Sequence, residues 1–230
     1  MTKLHGSTIM GIFLISILFL SGSLHCFANF TVDIAEFEAE LSKRFSDSNR
    51  VSLVKWFPLE YWEVNLRNNP SITPSQIDSI LQVLNPYTII AVLDGKIGPF
   101  GGINFSTKEE LQATIKIYSS GTYRSPYLLE ELSPDLRSLV ATLGAYFADV
   151  IGTAGENLHL FIFPAVDTTG TRLVNPSKPG SFSVFLDEEE FRWRLPLGSL
   201  SPAKYCSTCG EKLSGSYLYC PYDSTKLIQD

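Results

Sequence analysis

The stretch TPSQIDSILQVLNPYTIIAVLDG, residues 73–95, contains the signal of a helix and then the signal of a strand, divided at Pro86. Thr73 is a good helix N-cap, and Pro74 suits the first helical turn, where its missing N–H costs nothing. Apolar residues then recur at three- and four-residue spacing, which predicts one buried helical face. Those residues are Ile77, Ile80, Leu81 and Leu84.

After Pro86 the helical spacing gives way to a continuous, β-branched apolar run. Residues 87–93, YTIIAVL, favour a strand, and Asp94-Gly95 is a dipeptide typical of turns. The sequence therefore predicts a strand that ends in a turn at these two residues. A helix followed directly by such a strand favours a fold that contains both helices and sheet.

Similar signals on both sides of this stretch extend the prediction to an α+β body. Helices are predicted over residues 31–46, from Pro58 to Leu66, and from a cap at Ser133 to a stop at Gly152. The remaining strands are predicted at 101–105, 113–118 and 157–163 and, as a hairpin, at 181–186 and 190–197. The predicted fold is thus N-terminal helices followed by an antiparallel sheet with one inserted long helix.

The composition is that of a globular chain that can bury a core. Of the 230 residues, 44% are hydrophobic and 18% are charged, which argues against disorder. The net charge is −6, and no run of five or more basic residues is present. This composition argues against nucleic-acid binding, which depends on concentrated positive charge.

The N-terminus has the pattern of an export signal. Lys3 precedes an apolar run from Ile9 to Leu20, and Cys26-Phe27-Ala28 predicts cleavage before Asn29. The alternative is an uncleaved membrane anchor over residues 9–30, which is long enough to span a bilayer. The protein is thus expected to be exported, to a periplasm or the extracellular space, or to be membrane-anchored. Cleavage would leave three cysteines and one histidine, which excludes catalysis by two histidines.

The body offers few residues with catalytic or binding chemistry. His159 lies in a predicted core strand and is interpreted as structural; a catalytic base is the alternative, with no partner visible in the sequence. Arg192 and Arg194 could bind an anionic ligand, stack on a partner, or form the wet face of a strand. The glycines of residues 96–102 lack the spacing of a phosphate loop, and the acidic run 187–190 is typical of a solvated turn.

The most specific chemistry lies in CSTCGEKLSGSYLYCPYD, residues 206–223. Cys206 and Cys209 form a CxxC pair, Cys220 follows, and Asp223 stands where a fourth cysteine would complete a second pair. Thiolates and a carboxylate at this spacing are suitable metal ligands. A disulfide is the alternative in an exported protein, although three thiols would leave one unpaired.

This stretch resembles a zinc ribbon, the two-knuckle module appended to many proteins, over residues 205–227. In the first knuckle, Gly210 follows the CxxC pair and permits a left-handed bend. The second knuckle of that family usually reads CPxCG; here Asp223 replaces the last cysteine and Ser224 replaces the glycine. The resemblance implies a zinc ion with Cys206, Cys209 and Cys220 among its ligands.

Asp223 is the expected fourth ligand, because three thiolates and one carboxylate carry the same net charge as four thiolates. Zinc accepts carboxylate oxygen in tetrahedral sites, and a segment this short depends on a metal for its folding energy. His159 and water are the rival fourth ligands. Tyr217, Tyr219 and Tyr222 are expected to cover the metal core.

The sequence predicts four regions: a signal or anchor (1–28), an α+β body (29–195), a linker (196–204) and a zinc ribbon (205–230). We expect a non-enzymatic protein that binds a protein partner, with a structural zinc ribbon as its appendage. The alternative is an enzyme or small-ligand binder with a pocket in the body, near His159 or Arg192. A flat aromatic surface would favour the binding protein. Its candidate residues are Trp56, Phe57, Tyr61 and Trp62.

Overall fold

A computed structural model of the chain describes residues 25–27 and 30–228. The signal peptide or anchor predicted over residues 1–28 lies, apart from 25–27, outside the described residues, as does Asn29. Within the described ranges, no helix combines the length and the apolar character needed to cross a bilayer. The predicted α+β class is confirmed, with 32% helix and 32% strand.

Six α-helices occur in the described part of the chain. They are α1 Ile34–Leu41, α2 Leu59–Arg67, α3 Pro74–Leu84, α4 Lys108–Thr114, α5 Pro134–Ile151 and α6 Thr153–Glu156. Two 3-10 turns, Leu129–Glu131 and Gly198–Leu200, accompany them.

Thirteen strands are numbered along the described chain. They are β1 His25–Phe27, β2 Phe30–Val32, β3 Ser42–Ser46, β4 Arg50–Phe57, β5 Tyr87–Ile97, β6 Ile103–Phe105, β7 Lys116–Ser119, β8 Thr122–Arg124, β9 His159–Pro164, β10 Gly180–Leu186, β11 Glu189–Leu195, β12 Lys204–Tyr205 and β13 Lys212–Leu213.

From β3 to β11 the strands divide between two antiparallel sheets rather than one, and β1 and β2 form a separate antiparallel pair. The first has the order β3-β4-β5, and the far side of β5 is shared by β9 along its first half and β6 along its second. The second sheet has the order β11-β10-β7-β8. In the described chain, β3 and β11 are therefore edge strands with one partner each.

Three large aromatic side chains join the two sheets. Trp56 on β4 contacts Phe182 on β10 and Trp193 on β11, with ring centroids 4.4 and 6.3 Å apart. Phe182 and Trp193 stack at 4.9 Å, and all three side chains are almost completely buried. Each indole N–H has a partner: Trp56 Nε1 donates to Thr88 Oγ1, and Trp193 Nε1 donates to the Glu40 carbonyl. Both indole N–H groups in the contact between the sheets are therefore hydrogen-bonded.

Helices pack on the other face of the first sheet. Phe57 of β4 contacts Tyr61 of α2 with ring centroids 4.8 Å apart, and Phe147 of α5 is buried.

The predicted caps are confirmed: Thr73 and Ser133 accept hydrogen bonds from the third residue of their helices, and Pro58 precedes α2. Trp56, Phe57, Tyr61 and Trp62 are buried, so these four aromatics do not form the flat binding face considered from the sequence.

The helix predicted over residues 31–46 is shorter than expected. It ends at Leu41, and Ser42 to Ser46 form β3, which pairs with β4 along its whole length. The sequence analysis assigned no element to β4, although its β-branched and aromatic residues are typical of a strand. Pairing with β4 stabilises residues 42–46 as a strand, and this long-range contact overrides the helical spacing of Phe45.

No turn occurs at Asp94–Gly95, because β5 continues to Ile97. The Asp94 carboxylate accepts hydrogen bonds from Arg50 Nε, Ser52 Oγ and Ser106 Oγ at 2.5–2.7 Å. At Gly95 a Cβ would lie 2.6 Å from Ile103 Cγ2, so glycine allows β6 to approach closely. Asp94 and Gly95 therefore stabilise the sheet and do not form a turn.

The strand predicted over residues 113–118 begins later than expected. Helix α4 spans Lys108–Thr114 and includes residues 113 and 114, and the strand, β7, runs from Lys116 to Ser119. Thr107 and Glu110 form a reciprocal capping box, which is a sequence signal for the start of a helix. The strand prediction follows the alternation over residues 113–118 and does not use this signal. A turn at Ser120–Gly121 follows β7, with both residues at positive φ.

The segment predicted as a linker contains a buried turn. Leu197 and Leu200 are buried, and Gly198 N and Ser199 N donate to the Glu40 carboxylate at 2.8 and 3.0 Å. A Cβ at Gly198 would lie 1.8 Å from Ser214 Oγ. This turn therefore packs against helix α1 on one side and against the cysteine-containing module on the other.

Candidate metal centre

Residues 205–227, called the module below, consist of two knuckles with matching backbones. In the first, Cys206 N donates to Glu211 O at 2.9 Å, and Gly210 N donates to Cys206 O at 2.9 Å. The second repeats both bonds: Cys220 N donates to Thr225 O at 2.8 Å, and Ser224 N donates to Cys220 O at 2.9 Å.

Short strand pairs begin and end each knuckle in the same way. Tyr205 pairs with Lys212 in the first knuckle, and Tyr219 pairs with Lys226 in the second. The two knuckles therefore present their first and second ligand positions in equivalent geometry. This equivalence places Asp223 at the position that Cys209 has in the first knuckle.

The four predicted ligand side chains converge. The ligand atoms of Cys206, Cys209, Cys220 and Asp223 all lie within 4.8 Å of one another. Cys209 Sγ is 3.6 Å from Cys220 Sγ, and Cys206 Sγ is 3.2 Å from the Asp223 carboxylate. All three cysteines are free. This cluster could hold a metal ion.

A left-handed residue follows the ligand pair in each knuckle. Gly210 has φ +75° and Ser224 has φ +60°, so serine adopts a backbone conformation that favours glycine. The bend turns backbone N–H groups inward, and Thr208 N and Cys209 N lie 3.4 and 3.5 Å from Cys206 Sγ. Such N–H groups stabilise a thiolate at this position.

The electrostatics of the cluster follow from crowding four acidic groups together. Hydrogen bonds from the backbone and side chain of Thr225 hold the pKa of Asp223 well below its usual range. The Cys209 backbone N–H lowers the pKa of Cys206. At Cys209 the Glu211 backbone acts to lower the pKa, but desolvation and hydrogen bonds with Cys206, Cys220 and Asp223 raise it to about 12. A cation between these groups would relieve their mutual repulsion.

The module has a very small core of its own. Its buried cluster consists of Cys206, Leu213, Cys220 and Leu227. A hydrogen bond of 2.8 Å from Thr225 Oγ1 to Thr208 Oγ1 joins the two knuckles. The predicted cover of tyrosines is not observed: Tyr217, Tyr219 and Tyr222 are 46%, 57% and 73% exposed.

His159 lies in the body, on β9, and is not one of the four clustered residues. Burial lowers the pKa of His159, while a hydrogen bond to the Ser106 backbone raises it. Its Nε2 atom is buried without a hydrogen-bond partner among the described residues. Ser106, whose backbone bonds to His159, also donates its hydroxyl to Asp94 Oδ2 at 2.7 Å.

The sequence pattern does not indicate the polar groups that hold the turn before the module against the body. Glu40 is the main example, since its carboxylate accepts the backbone N–H groups of residues 198 and 199. In the sequence, Glu40 is one acidic residue among several on α1, and only the long-range packing of α1 on this turn distinguishes it. Arg192 and Arg194, which the sequence did indicate, are exposed on the edge strand β11.

Comparison of the chain with protein-family models, with curated proteins and with solved structures gives no match in any of the three.

Proposed function

We propose that the module binds one structural zinc ion through Cys206, Cys209, Cys220 and Asp223, and that the protein acts by binding a partner outside the cytoplasm. The observation that carries the zinc proposal is the convergence of three thiols and a carboxylate within 4.8 Å on two matched knuckles. Three sulfur ligands favour zinc over magnesium or calcium, which prefer oxygen.

Four protein ligands fill a tetrahedral shell, which is typical of a structural site and leaves no position for a substrate. The four buried side chains of the module cannot stabilise a fold on their own, so metal binding would supply its folding energy. We therefore assign the metal a stabilising role and not a catalytic one.

The binding role rests on the exposed apolar surface of the module. Large side chains are rarely exposed together on a domain this small unless they contact something. The exposed side chains, 46–73% accessible, are Tyr205, Tyr217, Leu218, Tyr219 and Tyr222, and Ile228 directly after the module.

Metal analysis with zinc-edge absorption spectroscopy tests the site. We expect one zinc per chain in an S3O shell for the wild type, weaker binding for Asp223→Ala, and tighter binding with an S4 shell for Asp223→Cys. Glu211→Ala is the matched control, because it removes a carboxylate of the same module that is not in the cluster. An S3O shell unchanged in Asp223→Ala would assign the fourth position to another ligand, and a metal-free protein with a disulfide would overturn the proposal.

The alternative, a small-ligand binder, has support in one groove of the body. It lies between α1, β4 and the C-terminal end of α5, has a volume of about 730 Å³, and is lined by Leu53, Phe57 and Phe147 among others. Lys55 crosses it, paired with Glu38. Native mass spectrometry of protein purified from its own host would show a co-purified small molecule if this groove is a binding site.

A further inference from the structure

A second cleft lies at the junction of the body and the module. Its volume is about 760 Å³, and its floor runs from Arg192 to Leu197, which comprises the end of the edge strand β11 and the two residues that follow it. One wall is formed by Glu40 and Lys43 at the end of α1 and the start of β3. The opposite wall belongs to the module and is formed by Ser216, Tyr217 and Leu218.

The cleft concentrates positive charge in a chain whose net charge is −6. Lys43, Arg192 and Arg194 line it, and none of them forms a salt bridge with a described residue. The one carboxylate in the lining, Glu40, is already occupied by the backbone N–H groups of residues 198 and 199. Three cations therefore lack a counter-charge within the described chain.

The floor of the cleft is also an open sheet edge. Within the described residues β11 pairs with β10 alone, so one row of its backbone N–H and C=O groups has no strand partner. An unpaired edge of this kind can accept an extended segment as an additional strand.

The two arginine side chains are spaced at the two-residue repeat of a β-strand. Arg192 and Arg194 are two residues apart and share the exposed face of β11, while Trp193 between them is buried and anchored to Glu40 O at 3.0 Å. A strand paired with β11 would also repeat every two residues. Acidic residues at alternate positions of that strand would therefore face both guanidinium groups.

We propose that this cleft binds an extended acidic segment of a partner protein, which adds to β11 as a strand and places carboxylates against Arg192 and Arg194. Tyr217 and Leu218 would contact the apolar side chains of the segment from the module. The proposal names the partner chemistry of the binding function proposed above, and it rests on that function because the module supplies one wall.

The probe is a fluorescein-labelled peptide, acetyl-(Glu-Val)4-amide, measured by fluorescence anisotropy with the full chain. We expect binding that weakens with added salt, at least about tenfold weaker binding for Arg192→Glu/Arg194→Glu, and little binding of acetyl-(Lys-Val)4-amide to the wild type. The charge-reversed variant should instead bind the lysine peptide more tightly than the glutamate peptide. Binding of the lysine peptide would also show that this variant is folded.

Lys96→Glu/Arg137→Glu is the matched control, since it makes the same change of charge at two exposed positions outside the cleft. Equal loss of binding in this control would assign the effect to net charge and overturn the proposal. No binding of the acidic peptide by zinc-loaded wild-type protein would also overturn it.

Strand pairing has its own test. Two further peptides carry N-methyl groups on every valine or on every glutamate, and only one of these sets of N–H groups faces β11 in a paired strand. One peptide should therefore lose binding and the other should keep most of it. If both N-methylated peptides lose binding equally, strand addition is overturned. If both bind as well as the parent peptide, strand addition is also overturned, and the cleft is then a site for anionic groups only.

Zinc content measured on the same samples separates this proposal from the zinc proposal. If the zinc-loaded protein does not bind the peptide, the peptide-binding proposal is contradicted and the zinc proposal is not. A zinc-free protein contradicts the metal site, while the dependence of peptide binding on Arg192 and Arg194 can still be scored.

Discussion

In the body, Trp56, Phe182 and Trp193 pack between two sheets and are 1–2% exposed, whereas the buried cluster of the module consists of two cysteines and two leucines. The body thus holds its fold by burying large side chains, each contributing about 1.5–3 kcal/mol or more. The module has too little apolar surface for this, and the metal ion proposed above would supply its folding energy. The two regions should therefore fail under different treatments.

Loss of a metal ligand should have the largest effect, and only in the module. We expect Cys220→Ser, or a zinc chelator, to abolish zinc binding and to remove amide-exchange protection from residues 205–227. Protection of β4 and β5 should persist, because their contacts lie within the body. Hydrogen-exchange mass spectrometry reports both regions in one experiment, and loss of protection in β5 would show that the regions are not separable.

Deletion of residues 205–230 sharpens the same comparison. The remaining chain keeps the turn at residues 198–200 with its bonds to Glu40, so we expect it to retain a cooperative thermal transition. A non-cooperative transition would place the module within the core of the body.

Replacing an aromatic residue between the sheets should affect only the body. We expect Trp56→Ala to lower the free energy of unfolding by about 3–5 kcal/mol, through the cavity it leaves and the loss of its bond to Thr88. Trp56→Phe should cost less. Urea unfolding followed by far-UV circular dichroism gives the change, and zinc stoichiometry should remain that of the wild type.

A smaller, pH-dependent effect is expected at Asp94. Burial raises the pKa of its carboxyl group, but hydrogen bonds from Arg50, Ser52 and Ser106 outweigh this and hold the pKa below the ordinary value. The carboxylate therefore adds stability at pH values above the unfolded pKa of about 3.9, and this stability is lost as pH falls through the lower folded pKa.

Asp94→Asn should accordingly cost about 1.5–3 kcal/mol at neutral pH, and the difference from wild type should shrink in acid. Unfolding measured in urea between pH 7 and pH 3 checks this. A difference that stays constant over that range would mean that the charge of Asp94 contributes nothing.

The smallest effects compare the two knuckles with each other. Gly210→Ala should weaken zinc binding by about fivefold, because alanine at positive φ costs about 1 kcal/mol. Ser224→Gly should strengthen it by a similar or smaller factor, since glycine accepts the same conformation without strain. Chelator competition measures both, and identical responses to the two changes would contradict the equivalence of the knuckles.

The accuracy of the sequence analysis follows the range of the contacts involved. The caps at Thr73 and Ser133 and the clustering of the four side chains in the module were predicted because each depends on residues close in sequence. Strand β3 and the continuation of β5 through Asp94 were not, since both depend on partners far along the chain. Glu40 was not singled out for the same reason, because its hydrogen bonds form only when α1 packs against residues 198–200.

Glu40 also gives the molecule a mechanical connection between its two ends. Its carboxylate accepts bonds from Gly198 and Ser199, and its carbonyl accepts the Trp193 indole N–H. These bonds join the first helix directly to the turn that carries the module. If the chain is tethered at its N-terminal end, the two bonds to Gly198 and Ser199 would lie between the tethered helix and the turn that leads to the module, and tension from a bound partner would act on them.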